Sequence, residues 1–162
     1  MTEATIIIRF VTSDDPASIL IRVHGGIAMP FTPSHVEALS RDGKSWTGQH
    51  LDGGCEARPL DYYQAEPNPH ECRVEIPVTQ IAYDAFHAYL EQRIGDPYDW
   101  KAIIGFTLLG HHHEPGGQIC SALMLMCLRA AKIFPWPVTV PAHHISPRDL
   151  ILMLSVLMEI DH

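Results

Sequence analysis

The stretch Ser34-His35-Val36-Glu37-Ala38-Leu39-Ser40, followed by Asp42-Gly43 and then Ser45 to His50, decides the fold. Polar and apolar residues alternate along its first half, the pattern of a strand with one buried face. Asp-Gly supplies the positive φ angles of a tight hairpin turn, so the second half is expected to return antiparallel to the first. His35 and Glu37 then share one face of the first strand, with Val36 and Ala38 on the other. Either Gln49 or His50 joins His35 on its face, because a slip of one residue in the turn exchanges them.

Working outward, Thr5 to Val11 is β-branched and short, a buried strand. Ser13, Asp14 and Asp15 precede Pro16, a capping cluster for a short helix from Pro16 to His24, which Gly25-Gly26 stops. A loop, Ile27 to Pro33, leads into the hairpin. Beyond it, Leu51 to Gly54 feeds an extended piece, Cys55 to Leu60, and Arg73 to Val78 alternates again, so at least four antiparallel strands are expected. At Thr79, an N-cap residue, the period changes to helical and holds to Gly95. Pro97 to Leu109 reads as another helix, Gly110 to Gly117 as a histidine-bearing loop, and Ile119 to about Phe134 as a helix apolar around most of its circumference. Ser146-Pro147 opens a last apolar helix to about Ile160. That helix either covers the core or joins copies of the chain as a homo-oligomer, and the core is the favoured reading. The result is an α+β fold, an antiparallel sheet packed against helices in one domain spanning residues 1–162.

The chain of 162 residues, 46% hydrophobic and 19% charged, has the composition of an ordinary globular domain. Its formal charge of -8 and scattered basic residues exclude a nucleic-acid partner. Cys55, Cys72, Cys120 and Cys127 form no CxxC pair and no disulfide framework. No apolar run is long enough for a membrane span and no signal peptide is seen, so a cytoplasmic protein is expected.

Chemistry concentrates at Gly116-Gly117-Gln118-Ile119-Cys120-Ser121, where a glycine turn delivers a cysteine to a helix start. Unpartnered N–H groups and the macrodipole there favour a thiolate, the nucleophilic form. A thiolate hydrolase needs an imidazole to exchange protons with it, and His35 is the best placed, since a strand fixes its direction. A third group should orient that imidazole. Gln49 and His50 on the neighbouring strand are the candidates, with Glu37 a further polar option on the His35 strand. Cys55, Cys72 and Cys127 read as structural.

Taken in order, Ser34-His35-Val36-Glu37, Gly48, Gly53-Gly54, Arg58, Gly95-Asp96-Pro97-Tyr98-Asp99-Trp100, Cys120-Ser121, Ser146-Pro147 and Leu150 resemble the circularly permuted papain-like amidases. These are relatives of the NlpC-type cell-wall peptidases in which histidine precedes cysteine. The resemblance runs from about residue 5 to residue 155. It implies a permuted papain-like fold with Cys120 as nucleophile and His35 as base. Tyr98 resembles a tyrosine often near the family's active site, and Ala122 stands where the family often has glutamate. The implied activity is a cysteine-dependent hydrolase or acyltransferase without a cofactor, acting on an amide, such as a cell-wall peptide, or on an acyl ester. A backbone N–H near Cys120, helped by Gln118 or Tyr98, would stabilise the oxyanion. Two rival readings stand beside it. His111-His112-His113 could hold a metal, and the fold could serve a non-catalytic binding or structural protein.

Overall fold

The computed structural model describes residues 3–25, 31–99 and 119–160. Five antiparallel strands form one sheet in the order β4-β3-β2-β1-β5: β1 (Glu3–Thr12), β2 (His35–Leu39), β3 (Ser45–His50), β4 (Gly54–Pro59) and β5 (His70–Thr79). Four helices accompany it: α1 (Pro16–Gly25), α2 (Gln80–Glu91), α3 (Cys120–Ala130) and α4 (Pro147–Ile160), with short 3-10 turns at Tyr62–Ala65 and Ala142–His144. The expected α+β class is therefore present, with one strand more than the minimum. None of the described helices is long and apolar enough to cross a membrane.

The β-branched strand β1 is central, paired with β2 on one side and with β5 along its whole length on the other. Ile6, Ile8 and Phe10 of β1, Val36 and Ala38 of β2 and Ile76 of β5 form the apolar face. Onto it pack Phe86 and Leu90 of α2, Leu123, Met124 and Leu128 of α3, and Leu150, Leu154 and Leu157 of α4. The favoured reading of α4 as a core helix thus matches its buried stripe. The alternate positions of the same strands, Arg9 and Glu37, stand directly opposite each other on the other face.

Local chemistry explains the helix starts. The Asp15 carboxylate accepts from the N–H groups of Ala17 (2.9 Å) and Ser18 (3.0 Å), capping α1 ahead of Pro16. The Thr79 hydroxyl accepts from Ala82 N–H at 3.3 Å at the start of α2. At α4, Ser146 Oγ accepts from Asp149 N–H (3.1 Å) while the Asp149 carboxylate accepts from Ser146 N–H (3.0 Å), a reciprocal capping box.

Helix ends differ from expectation. The Cys120 helix stops at Ala130 rather than near Phe134, because Lys132 takes a left-handed φ of 54°. Lys132 N–H then donates to Arg129 O and Ile133 N–H to Leu128 O, both at 3.0 Å, a Schellman closure made without glycine. α2 ends at Glu91, short of Gly95, whose N–H donates instead to Cys55 O at 2.8 Å. Residues 97–99 are not helical, and Tyr98 lies in a bridge, so the expected helix from Pro97 does not begin there. Its remainder, and the histidine loop, fall outside the described residues. The cause is visible at Gly54: with φ at 73°, a Cβ there would come within 2.4 Å of Asp96 O. This glycine lets the 95–97 segment run against β4, with Cys55 N–H donating to Asp96 O at 2.9 Å.

Candidate active site

Cys120 is the first residue of α3, behind Ile119, whose side chain makes no capping hydrogen bond. Both Cys120 and the following Ser121 are buried, and the Ser121 hydroxyl donates to Ile145 O, tying the helix start to the segment before α4. His35, the first residue of β2, lies beside Cys120, close enough for the sulfur to act on its imidazole. Two residues from widely separated parts of the chain thus meet at the starts of their own elements. Burial opposes a charge on the His35 imidazole. The neighbouring Cys120 sulfur and Glu37 carboxylate outweigh it, raising His35 to about 10. His35 is therefore an imidazolium across the neutral range.

Glu37 anchors the other side of that imidazole. Its Oε2 lies 3.7 Å from His35 Nε2 and 3.8 Å from His50 Nε2, and it accepts from the Tyr62 hydroxyl at 3.0 Å. Its Oε1 accepts from Arg9 Nε at 2.8 Å and from the terminal guanidinium nitrogen as well. Glu37 is fully buried, and burial alone would raise its carboxyl. The adjacent His35, together with the charge and hydrogen bonds of Arg9, holds it below the usual carboxylate range instead. Arg9, itself only 2% exposed, stacks over Trp46 at 4.3 Å and also reaches Glu71 at 3.2 Å. Gly48 makes this possible: a Cβ at that position would stand 2.8 Å from Glu37 Cβ.

His50 lies beside the pair, its ring centroid 4.9 Å from that of His35 and 5.5 Å from that of Tyr62. Burial, together with the positive charge of His35, lowers His50 to about 3, so it stays neutral. Gln49 points to the opposite face of β3, in register with Cys55. It is fully buried, and neither its Oε1 nor its Nε2 has a hydrogen-bond partner among the described residues. Such an unsatisfied amide costs about 1–3 kcal/mol for each group left unpaired. Tyr98 packs against Ile119 and Ala122, the neighbours of Cys120. Burial, and the negative charge of Cys120 and Asp99, push its hydroxyl well above the ordinary tyrosine range, so it remains a donor.

No protein-family model matches this chain, and no curated protein does.

A cleft of about 410 Å³ opens on this group, lined by His35, Gln49, His50, Tyr98 and Tyr62, with Leu20 and Ile21 of α1 as an apolar wall. The other cysteines are different. All four are free thiols, but burial pushes Cys55 up to about 11 and Cys127 higher still, which keeps both protonated. Of the residues singled out in the sequence, Cys120, His35, Glu37 and His50 converge, and Tyr98 and Gln49 border them. Gln118, His111, His112 and His113 lie outside the described residues. A different set, His35, Glu37 and His50, has ligand atoms all within 4.8 Å of one another and could hold a cation. Sequence reasoning missed Arg9 and Tyr62, which both hydrogen-bond to Glu37, Arg9 also helping to keep its carboxyl ionised. The available signal was an arginine interrupting an otherwise apolar strand.

Proposed function

We propose that this chain is a cysteine-dependent hydrolase or acyltransferase acting on an amide, such as a cell-wall peptide, or on an acyl ester. One observation carries the reading: Cys120 at a helix start lies beside a His35 on which both its sulfur and the buried Glu37 carboxylate, 3.7 Å away, act electrostatically. Cys120 and His35 are read as a pair in which the imidazole carries the proton while the sulfur attacks. The Cys120 sulfur adds to the acyl carbon. The tetrahedral adduct collapses, and the leaving amine or alcohol takes the proton from His35. The neutral imidazole then accepts a proton from water, or from an acceptor hydroxyl or amine, as that group attacks the thioester. Cys120 leaves as thiolate and His35 regains its charge. Glu37 fixes the ring and stabilises the imidazolium without taking its proton, and Arg9 and Tyr62 fix Glu37.

Mass-spectrometric labelling with iodoacetamide at pH 6 to 7 tests this. Cys120 should alkylate faster than Cys72 in the same chain, and His35→Ala should abolish the difference. Equal rates at both cysteines would sink the proposal.

A second reading has one observation behind it, the convergence of His35 Nε2 and His50 Nε2 on Glu37 Oε2, a geometry that a divalent metal could occupy. Arg9 argues against it, since its guanidinium already neutralises Glu37 and a second cation would sit beside it in a buried place. Metal analysis of protein purified without a histidine tag decides: one equivalent of zinc, lost in His50→Ala, would favour the metal.

A further inference from the structure

Resting on the cysteine reading above, we infer that Gln49 is a catalytic hydrogen-bond donor to the oxyanion, its Nε2–H2 group facing the position where the acyl oxygen gains charge. Gln49 is the penultimate residue of β3, one before His50, on the sheet face that carries Val36 and Cys55 and against which α3 packs. It lines the same cleft as His35 and Tyr98, and these two are the neighbours of Cys120. Its side chain is fully buried, yet among the described residues both amide atoms lack a partner. A core position that needed only volume would hold leucine or methionine, and one that needed structural hydrogen bonds would have them. A glutamine that is buried, aimed into the cleft and unsatisfied fits a group whose partner arrives with the substrate. Attack by Cys120 sulfur on an acyl carbon turns the carbonyl oxygen into an oxyanion, which needs donors fixed beforehand. The start of α3, where Ile119 makes no side-chain cap, offers a backbone N–H, and Gln49 offers the side-chain donor.

Two reactions of the same sulfur separate this role from any other. Acylation by p-nitrophenyl acetate passes through an oxyanion; alkylation by iodoacetamide displaces iodide and forms none. Gln49→Leu, close in volume and unable to donate, is expected to slow p-nitrophenyl acetate acylation of Cys120 by about 100-fold or more. Iodoacetamide alkylation should keep its rate, and the melting temperature should hold or rise, because an unpartnered buried amide has been removed. Gln49→Glu should slow acylation at least as much. Equal slowing of both reactions in Gln49→Leu would make Gln49 a group that sets thiol reactivity and would overturn the inference. So would unchanged acylation, or a fall in melting temperature with acylation preserved. Failure of the wild-type Cys120 to react faster than Cys72 with either reagent would overturn the cysteine reading and this inference together. Loss confined to acylation in the variants is the result that supports it.

Discussion

Glu37→Gln tests the charge arrangement at its centre. The substitution keeps the shape of the side chain and an oxygen for Arg9, but removes the negative charge from a fully buried position between Arg9, His35 and His50. Two consequences separate by their pH dependence. Leaving buried Arg9 with only the exposed Glu71 as counter-charge costs up to about 3–5 kcal/mol, and this part does not change between pH 6 and 10, since the guanidinium stays charged throughout. The second part titrates. His35 rises from 6.5 to about 10 in the folded chain, with Cys120 and Glu37 as the stabilising causes against burial. A raised histidine adds stability that is fully present below its unfolded value near 6.5 and is lost as pH rises through 10. The whole contribution is on the order of 5 kcal/mol, and Glu37→Gln removes its own share. Urea unfolding of both chains at intervals from pH 6 to pH 10 should therefore show a wide stability gap at pH 6 that narrows towards the Arg9 part at pH 10. A gap independent of pH would mean that Glu37 does not hold the His35 proton, and the proposed triad would lose its third member.

Three further substitutions probe the surroundings. Gly48→Ala places a Cβ 2.8 Å from Glu37 Cβ, so it should destabilise by about 1–3 kcal/mol and slow Cys120 alkylation, both measurable on one preparation. His50, lowered to about 3, is neutral at all working pH values. His50→Asn should thus leave the shape of the pH profile of Cys120 alkylation unchanged from pH 5 to pH 9; a shifted midpoint would show that His50 carries charge. Ser146→Ala removes one arm of the α4 capping box, costing about 1 kcal/mol, a fall in melting temperature of about 2–4 °C, with thiol reactivity intact.

Local signals made much of this legible. The Asp42-Gly43 turn and the alternation before it place His35 and Glu37 on one face, as the pairing of Arg9 with Glu37 and of Phe10 with Val36 shows. The caps at Asp15, Thr79 and Ser146 act through side-chain oxygens that local sequence reveals. What stayed hidden depends on distant parts of the chain. Glu37 ranked last among the groups that could orient His35 because its partner, Arg9, arrives through the β1–β2 register, which no turn specifies. A lone arginine between Ile8 and Phe10 in a buried strand demands a carboxylate across the sheet, and that demand was the readable clue. The segment before Tyr98 resembles a helix start, with proline and then acidic and aromatic residues, yet hydrogen bonds to β4 and the positive φ of Gly54 hold it extended. Lys132 closes α3 in a conformation usually given to glycine, so composition offers no stop there.

The two histidines beside Glu37 show why the site needs its arginine. Each imidazole brings Nε2 to nearly the same distance from Oε2, 3.7 Å for His35 and 3.8 Å for His50, so distance from the carboxylate does not tell them apart. Burial alone would favour a protonated, neutral Glu37, and His35 and Arg9 together oppose it. With Arg9 bound, Glu37 stays anionic and supports one imidazolium, but two adjacent positive rings repel. The choice between them falls to Cys120, whose sulfur acts on His35 and is not among the main influences on His50. His35 goes up to about 10 and His50 down to about 3, a separation that assigns the mobile proton to one ring and leaves the other as a neutral neighbour. Replacing Cys120 by serine should collapse that separation. Followed by NMR, the His35 titration should move down towards its ordinary range in Cys120→Ser, and an unmoved midpoint would mean that Glu37 alone decides which histidine is charged.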